Sequence, residues 1–110
     1  CAQLEYIEHF VNRKRILSDR YQDWFDKYNY ELVREKTGSR ANYWFNALLT
    51  KNQTERDSFL EFTNNAGVMT RPAWTPMHTL NMYSRCSRTE LSMTEWLEER
   101  IVNIPSGIPS

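Results

Sequence analysis

Glycine is scarce in this chain, with three in 110 residues, at positions 38, 67 and 107. None is spaced as G-x-G, which excludes a glycine-rich phosphate loop. Cysteine is scarcer still. Cys1 and Cys86 cannot build a framework of several bridges, and they read as free thiols of a reducing cytosol. The two histidines, His9 and His78, lie far apart in no C-x-x-C or H-E-x-x-H setting, so no metal site is expected. No serine stands in a nucleophile elbow. No apolar run approaches the roughly 20 residues that cross a bilayer, and Cys1 to Glu8 mix polar and charged residues with apolar ones, unlike a signal peptide. Excess charge of one sign is missing too: Lys plus Arg and Asp plus Glu both number 14. A nucleic-acid binder carries a basic excess that neutralises phosphates. By motif alone, the chain holds no complete active site.

Aromatic residues, by contrast, are plentiful: four Trp, six Tyr and five Phe. They suffice for one dense core and for a stacking surface, and the length fits a single domain, residues 1–110. The chain starts at Cys1, without Met and already inside helical sequence, so it reads as a piece of a longer protein.

Leu4, Ile7, Phe10, Val11, Leu17, Tyr21, Trp24, Phe25 and Tyr28 recur in steps of three and four, which predicts one long amphipathic helix over about the first 25 residues. Residues 29–33 suit a short strand, and Arg34 to Arg40 a loop. Asn42 to Thr50 has the profile of a buried strand. Thr54 is the expected cap of a second helix that ends at Gly67, a left-handed C-cap. A short strand, Val68 to Arg71, follows, and Pro72 and Pro76 then impose an irregular path. Ser92-Met-Thr-Glu95 reads as a capping box for the last helix, and Ile101 to Ile104 as a further strand. The fold class this order supports is α+β, with a long N-terminal helix and further helices packed on a small antiparallel sheet.

Three segments carry a family likeness when taken together. Ala2-Gln3-Leu4-Glu5, followed by Arg13 to Arg15 and Tyr21, resembles the helix that leads into the C-terminal small domain of the DegT/DnrJ/StrS sugar aminotransferases. Arg71-Pro72-Ala73-Trp74-Thr75-Pro76-Met77-His78, after the Gly67 turn, is similar to that family's small-domain loop. Leu97 to Arg100 with Val102-Asn-Ile-Pro-Ser106 resembles its closing segment. Asn42-Tyr43-Trp44 also looks like a sequence of members that make UDP-linked bacillosamine or legionaminic acid precursors, or GDP-perosamine.

The resemblance implies the C-terminal small domain of a fold-type-I enzyme dependent on pyridoxal phosphate (PLP). That enzyme would be a cytoplasmic homodimer, transferring an amino group from glutamate to a nucleotide-linked 4-keto-6-deoxy sugar in surface-polysaccharide or O-antigen synthesis. It places the Schiff-base lysine upstream of this chain, so the fragment alone is expected to bind no cofactor and to be inactive. The substrate-contact candidates it implies are Arg71, Trp74, His78, Asn42 and Tyr43. Each has a plainer alternative: a structural ion pair for Arg71, a core position for Trp74, a backbone hydrogen bond for His78. Asn42, Tyr43 and Trp44 would alternate on a strand, so only part of that set could face one site. Lys14, Lys27, Lys36 and Lys51 read as solvated. A stand-alone module presenting the aromatic loop to a protein or glycan is the alternative function.

Overall fold

Residues 2–108 are described by a computed structural model; Cys1 and its expected free thiol lie outside them, whereas Cys86 is a free, exposed thiol. The opening helical sequence forms two pieces, α1 (Ala2–Glu5) and α2 (Ile7–Phe25), broken at Tyr6. A single 3-10 turn, Asp26–Tyr28, ends α2 at Asn29, whose φ of 56° is left-handed. Asparagine tolerates that region better than most residues. The reversal brings the Tyr30 N–H to the Phe25 carbonyl at 3.2 Å. The chain then enters β1 (Glu31–Leu32), β2 (Asn46–Leu49), α3 (Gln53–Asn65), β3 (Arg71–Pro72), α4 (Ser92–Glu98) and β4 (Ile101–Ile104).

All strands pair antiparallel in the order β1-β2-β4-β3. The last strand in sequence therefore lies inside the sheet, opposite β2, with Leu48 facing Val102. Both are fully buried. Period-2 alternation puts Asn46, Leu48, Val102 and Ile104 on the buried face. Phe25 of α2 joins Leu32, Leu48, Val102 and Ile104 in the core, with Tyr21, Tyr30, Phe59 and Leu60 packed against it. β3 holds an edge, as it must, because Pro72 has no N–H to give to a further strand.

Several local expectations shift, each for an identifiable reason. The strand expected over Asn42 to Thr50 shortens to β2, because Tyr43 takes a φ of 48° and the Asn42 Oδ1 accepts the Trp44 N–H at 3.0 Å. That is an Asx turn, a bond asparagine makes to its own backbone more readily than it enters a ladder. α3 is capped by Asn52 rather than Thr54: Asn52 Oδ1 accepts the Glu55 N–H at 2.9 Å, and Glu55 in turn accepts the Lys51 N–H at 2.6 Å. Gly67 is left-handed as expected, at φ 79°. The strand after it covers only Arg71 and Pro72. Ser92 does not cap α4; the Ser92 N–H donates to Glu90, and Glu95 turns to His78 instead.

The apolar stripe of the first helices is only partly covered. Phe25 is buried and Tyr21 half-buried, while Leu4, Ile7, Phe10, Trp24 and Tyr28 stay exposed. Trp24 and Phe62 border an apolar groove of about 240 Å³ between the end of α2 and α3.

Candidate functional site

The sheet ends in a cleft of about 750 Å³, bordered by α2, by the approach to β2, by β3 with the loop after it, and by the segment after β4. Its polar and aromatic walls include Lys14, Trp44, Phe45, Arg71, Trp74 and Ser106, and none of the described lining residues is acidic.

Arg71 reaches the cleft because the end of α3 holds it. The Thr70 hydroxyl is buried and pairs with the Thr63 hydroxyl at 2.6 Å, and Asn64 donates to Thr70 Oγ1 at 3.0 Å. With its Nδ2 so occupied, Asn64 turns its Oδ1 to Arg71 Nη1 at 3.2 Å. The left-handed turn at Gly67 makes this possible by folding Thr70 back onto Thr63. Among the described residues, Arg71 takes part in no ion pair with a carboxylate. Trp74 stands on the proline-bounded loop, 84% exposed, and takes no part in the core formed by this chain.

The tail is pinned through Ser106. Its hydroxyl donates to the Ile104 carbonyl at 2.9 Å and accepts from Asn46 N at 2.7 Å and Asn46 Nδ2 at 3.3 Å. The Ser106 carbonyl accepts from Lys14 Nζ at 2.8 Å, and the Trp44 carbonyl does so at 3.3 Å. Lys14 is therefore half-buried and engaged, not solvated as its place in a charged helix face suggests. Sequence periodicity misses it because the carbonyls it meets come from residues 30 and 92 positions away.

His78 lies elsewhere. It borders a separate cavity of about 370 Å³ with Tyr83, Cys86 and Arg88. Its Nε2 is 2.9 Å from Glu95 of α4, its side chain is 11% exposed, and its carbonyl accepts from Arg88 at 3.3 Å. The imidazole braces the loop against α4.

Tyr43 is buried, beneath the guanidinium groups of Arg15 and Arg34, 5.4 and 4.9 Å from its ring centre. Its hydroxyl accepts from the Glu35 N–H at 3.4 Å. Arg15 grips Glu35 with two N–H groups at 2.9 and 2.5 Å, and Glu35 also accepts the Ala41 N–H at 2.6 Å. The Arg15 hydrogen bond, helped by Ala41, holds the Glu35 carboxyl down to about 2. Asn42 is exposed and spends its side chain on the turn. Of the five sequence candidates, then, Arg71 and Trp74 share the cleft, while His78, Asn42 and Tyr43 do not line it. Trp44, adjacent to Tyr43, lines it instead, stacked on Phe45 with ring centres 4.5 Å apart.

Lys14 gives two of its donors to carbonyls, and Lys27, Lys36 and Lys51 are exposed. Among the described residues no cluster of three or more His, Cys, Asp or Glu side chains could hold a metal, and no helix is long and apolar enough to cross a membrane.

This sheet-and-helix arrangement recurs within solved aminotransferases. The aminotransferase TlmJ from Streptoalloteichus hindustanus superposes with a TM-score of 0.84 at 21% identity, over 96% of this chain and 28% of that one. The sugar aminotransferase CalS13 from Micromonospora echinospora gives 0.79 at 20% identity, over 94% of this chain and 27% of that one. The chain belongs to the DegT/DnrJ/EryC1/StrS aminotransferase family, which it matches over residues 1–108. Among relatives, it is 27% identical over 108 residues to a GDP-perosamine synthase of Vibrio cholerae, and 30% identical over 105 residues to one of Escherichia coli O157:H7. It spans 29% and 28% of their lengths, with 96% of this chain covered in both.

Proposed function

We propose that this chain is the C-terminal small domain of a PLP-dependent aminotransferase that moves an amino group from glutamate to the keto carbon of a nucleotide-linked 4-keto-6-deoxy sugar. The resemblance of the two GDP-perosamine synthases along 96% of the chain favours a GDP-linked sugar and a place in surface-polysaccharide synthesis. On this reading the cofactor and its lysine belong to the rest of a cytoplasmic, homodimeric enzyme, and the isolated chain has no activity.

The observation that carries the proposal is the acid-free cleft that brings Arg71 and Trp74 together. Arg71 offers a fork of N–H donors to an anionic oxygen, and a carboxylate nearby would have occupied or repelled it. Trp74 offers a broad, accessible indole face to a sugar or base ring. Pro72 and Pro76 limit the backbone freedom of the loop that presents them. His78, tied to Glu95, acts through that loop rather than on the ligand. The small domain thus orients the nucleotide sugar and excludes water from one side of it.

The test is to express the full-length gene product and supply PLP, glutamate and GDP-, UDP- or dTDP-linked 4-keto-6-deoxy sugars in turn. The expected result is visible absorbance from bound PLP that changes on adding glutamate, with an amino sugar nucleotide detected by mass spectrometry. A product that binds no PLP, or forms no amino sugar from any of the three, would overturn the reading.

A further inference from the structure

We propose that Lys14 is the second cation of the cleft, and that Lys14 and Arg71 together clamp the diphosphate of the nucleotide sugar. The assignment rests on the function proposed above and extends it to a residue outside the likeness of the 71–78 loop.

An ammonium has three N–H donors. Two of those on Lys14 go to the Trp44 and Ser106 carbonyls, which leaves one for the cleft that Lys14 lines. Carbonyls satisfy donors but do not neutralise charge, and a half-buried cation without a counter-ion favours an anion from outside. Other half-buried or buried cations of the protein have a carboxylate: Arg15 has Glu35, Arg34 has Asp19, Arg56 has Asp57 and Glu98, and Arg100 has Glu99. Among the described residues, half-buried Lys14 and exposed Arg71 have none, and they border the same space.

Arg71 is also under-used. Its Nη1 donates to Asn64 and to the Thr70 carbonyl, while Nε and Nη2 have no partner among the described residues. Two cations that line one cleft, with no carboxylate partner and no acid among its described walls, match a doubly charged, bridging group better than a single carboxylate. Trp44, Phe45 and Trp74 line the same cleft and offer flat, accessible faces for the rings that flank a diphosphate.

Lys14 also holds the cleft together, because its two carbonyl partners lie on the two chain segments at one end of the sheet's central pair of strands, Trp44 leading into β2 and Ser106 leaving β4. Ligand capture and cleft shape are therefore joined in one side chain, and the experiment must separate them. In the full-length enzyme, Lys14→Met, Lys14→Arg and Arg71→Gln are compared by calorimetric titration with GDP, inorganic pyrophosphate and guanosine, alongside the KM for glutamate.

Lys14→Met is expected to weaken GDP and pyrophosphate about ten-fold or more, the loss of one charged hydrogen bond. Lys14→Arg should recover most of that loss, with guanosine binding and the glutamate KM unchanged. Arg71→Gln, at an exposed position, should repeat the pattern without disturbing the fold, and carries the test should Lys14→Met not fold. GDP affinity within two-fold of wild type in folded Lys14→Met overturns the clamp. Equal weakening of guanosine reduces Lys14 to a structural tie, and a risen glutamate KM with unchanged GDP binding makes the cleft a donor-carboxylate site; both overturn it too. Amino transfer by the wild-type enzyme is scored separately: its absence sinks the proposed function, whereas its presence with no effect of Lys14→Met on GDP sinks this assignment alone.

Discussion

Arg15 and Lys14 are neighbours on α2, yet they enter regions of opposite electrostatic design. On one side of the helix, Arg15, Arg34, Glu35, Asp19 and Tyr43 form a closed network in which both guanidiniums meet a carboxylate and both lie over one buried aromatic ring. On the other side, Lys14 looks into a cleft that has cations and aromatic faces but no acid. Charges that are spent on one another hold loops in place. Charges left with carbonyls alone remain available. The difference teaches that a basic residue's role here is read from the counter-charge it lacks, and that helix periodicity does not reveal it.

The contrast predicts that variants of carboxylate-paired, buried cations damage stability, whereas variants of the exposed cleft residues Arg71 and Trp74 spare it. The largest effect is expected at Arg56, which is buried, pairs with Asp57 and Glu98 and donates to the Glu98 carbonyl at 2.7 Å. Arg56→Ala should lower unfolding free energy by about 2 kcal/mol, because it removes a buried side chain together with its ion pairs and its bond to the Glu98 carbonyl. Urea titration of the full-length protein reads this directly.

Glu35 supplies a pH signature. Its carboxyl is held at about 2, below its ordinary 4.5, so the folded-state value is depressed and the stabilisation is complete above pH 4.5. It is then lost as pH falls toward 2. The stability difference between wild type and Glu35→Gln should be constant from neutral pH down to 4.5 and shrink below it. A difference that stays flat to pH 2 would break the claim that this ion pair is intact in the fold.

His78→Ala removes the brace to Glu95 and should cost on the order of 1 kcal/mol, with the loss confined to the loop and α4 in hydrogen exchange. The smallest stability effect belongs to Trp74→Ala, within about 0.5 kcal/mol, since an indole so exposed contributes little to packing. Its effect on ligand should be the reverse: roughly ten-fold weaker nucleotide binding from the lost stacking face. A large loss of stability there would erase the distinction between the two regions.

Much of the architecture was legible in the residues. The amphipathic spacing of Leu17, Tyr21 and Phe25 marked the helix, Gly67 marked its neighbour's left-handed stop, and Ile101 to Ile104 marked a strand that lies inside the sheet. Errors fell where a side chain had two possible partners. Asn42 and Tyr43 read as strand because aromatic residues favour strands, but the Asx bond from Asn42 to Trp44 ended the ladder early. Ser92 and Glu95 had the spacing of a capping box, yet His78, seventeen residues upstream, took the carboxylate. Trp74 and Arg71 were visible as site candidates; Lys14 and Trp44 were not, since nothing local to either announces the cleft.

The sequence by itself determined the order and type of the main secondary elements, the α+β class and the family, because periodicity, turn residues and motif spacing are properties of neighbours along the chain. Tertiary structure alone decided which cations are neutralised and which face open space. That outcome depends on Glu35 reaching Arg15 across twenty residues, on Ser106 reaching Lys14 across ninety-two, and on no carboxylate of the described residues reaching Arg71. Electrostatic pairing follows distance in space, and distance in space is set by the sheet.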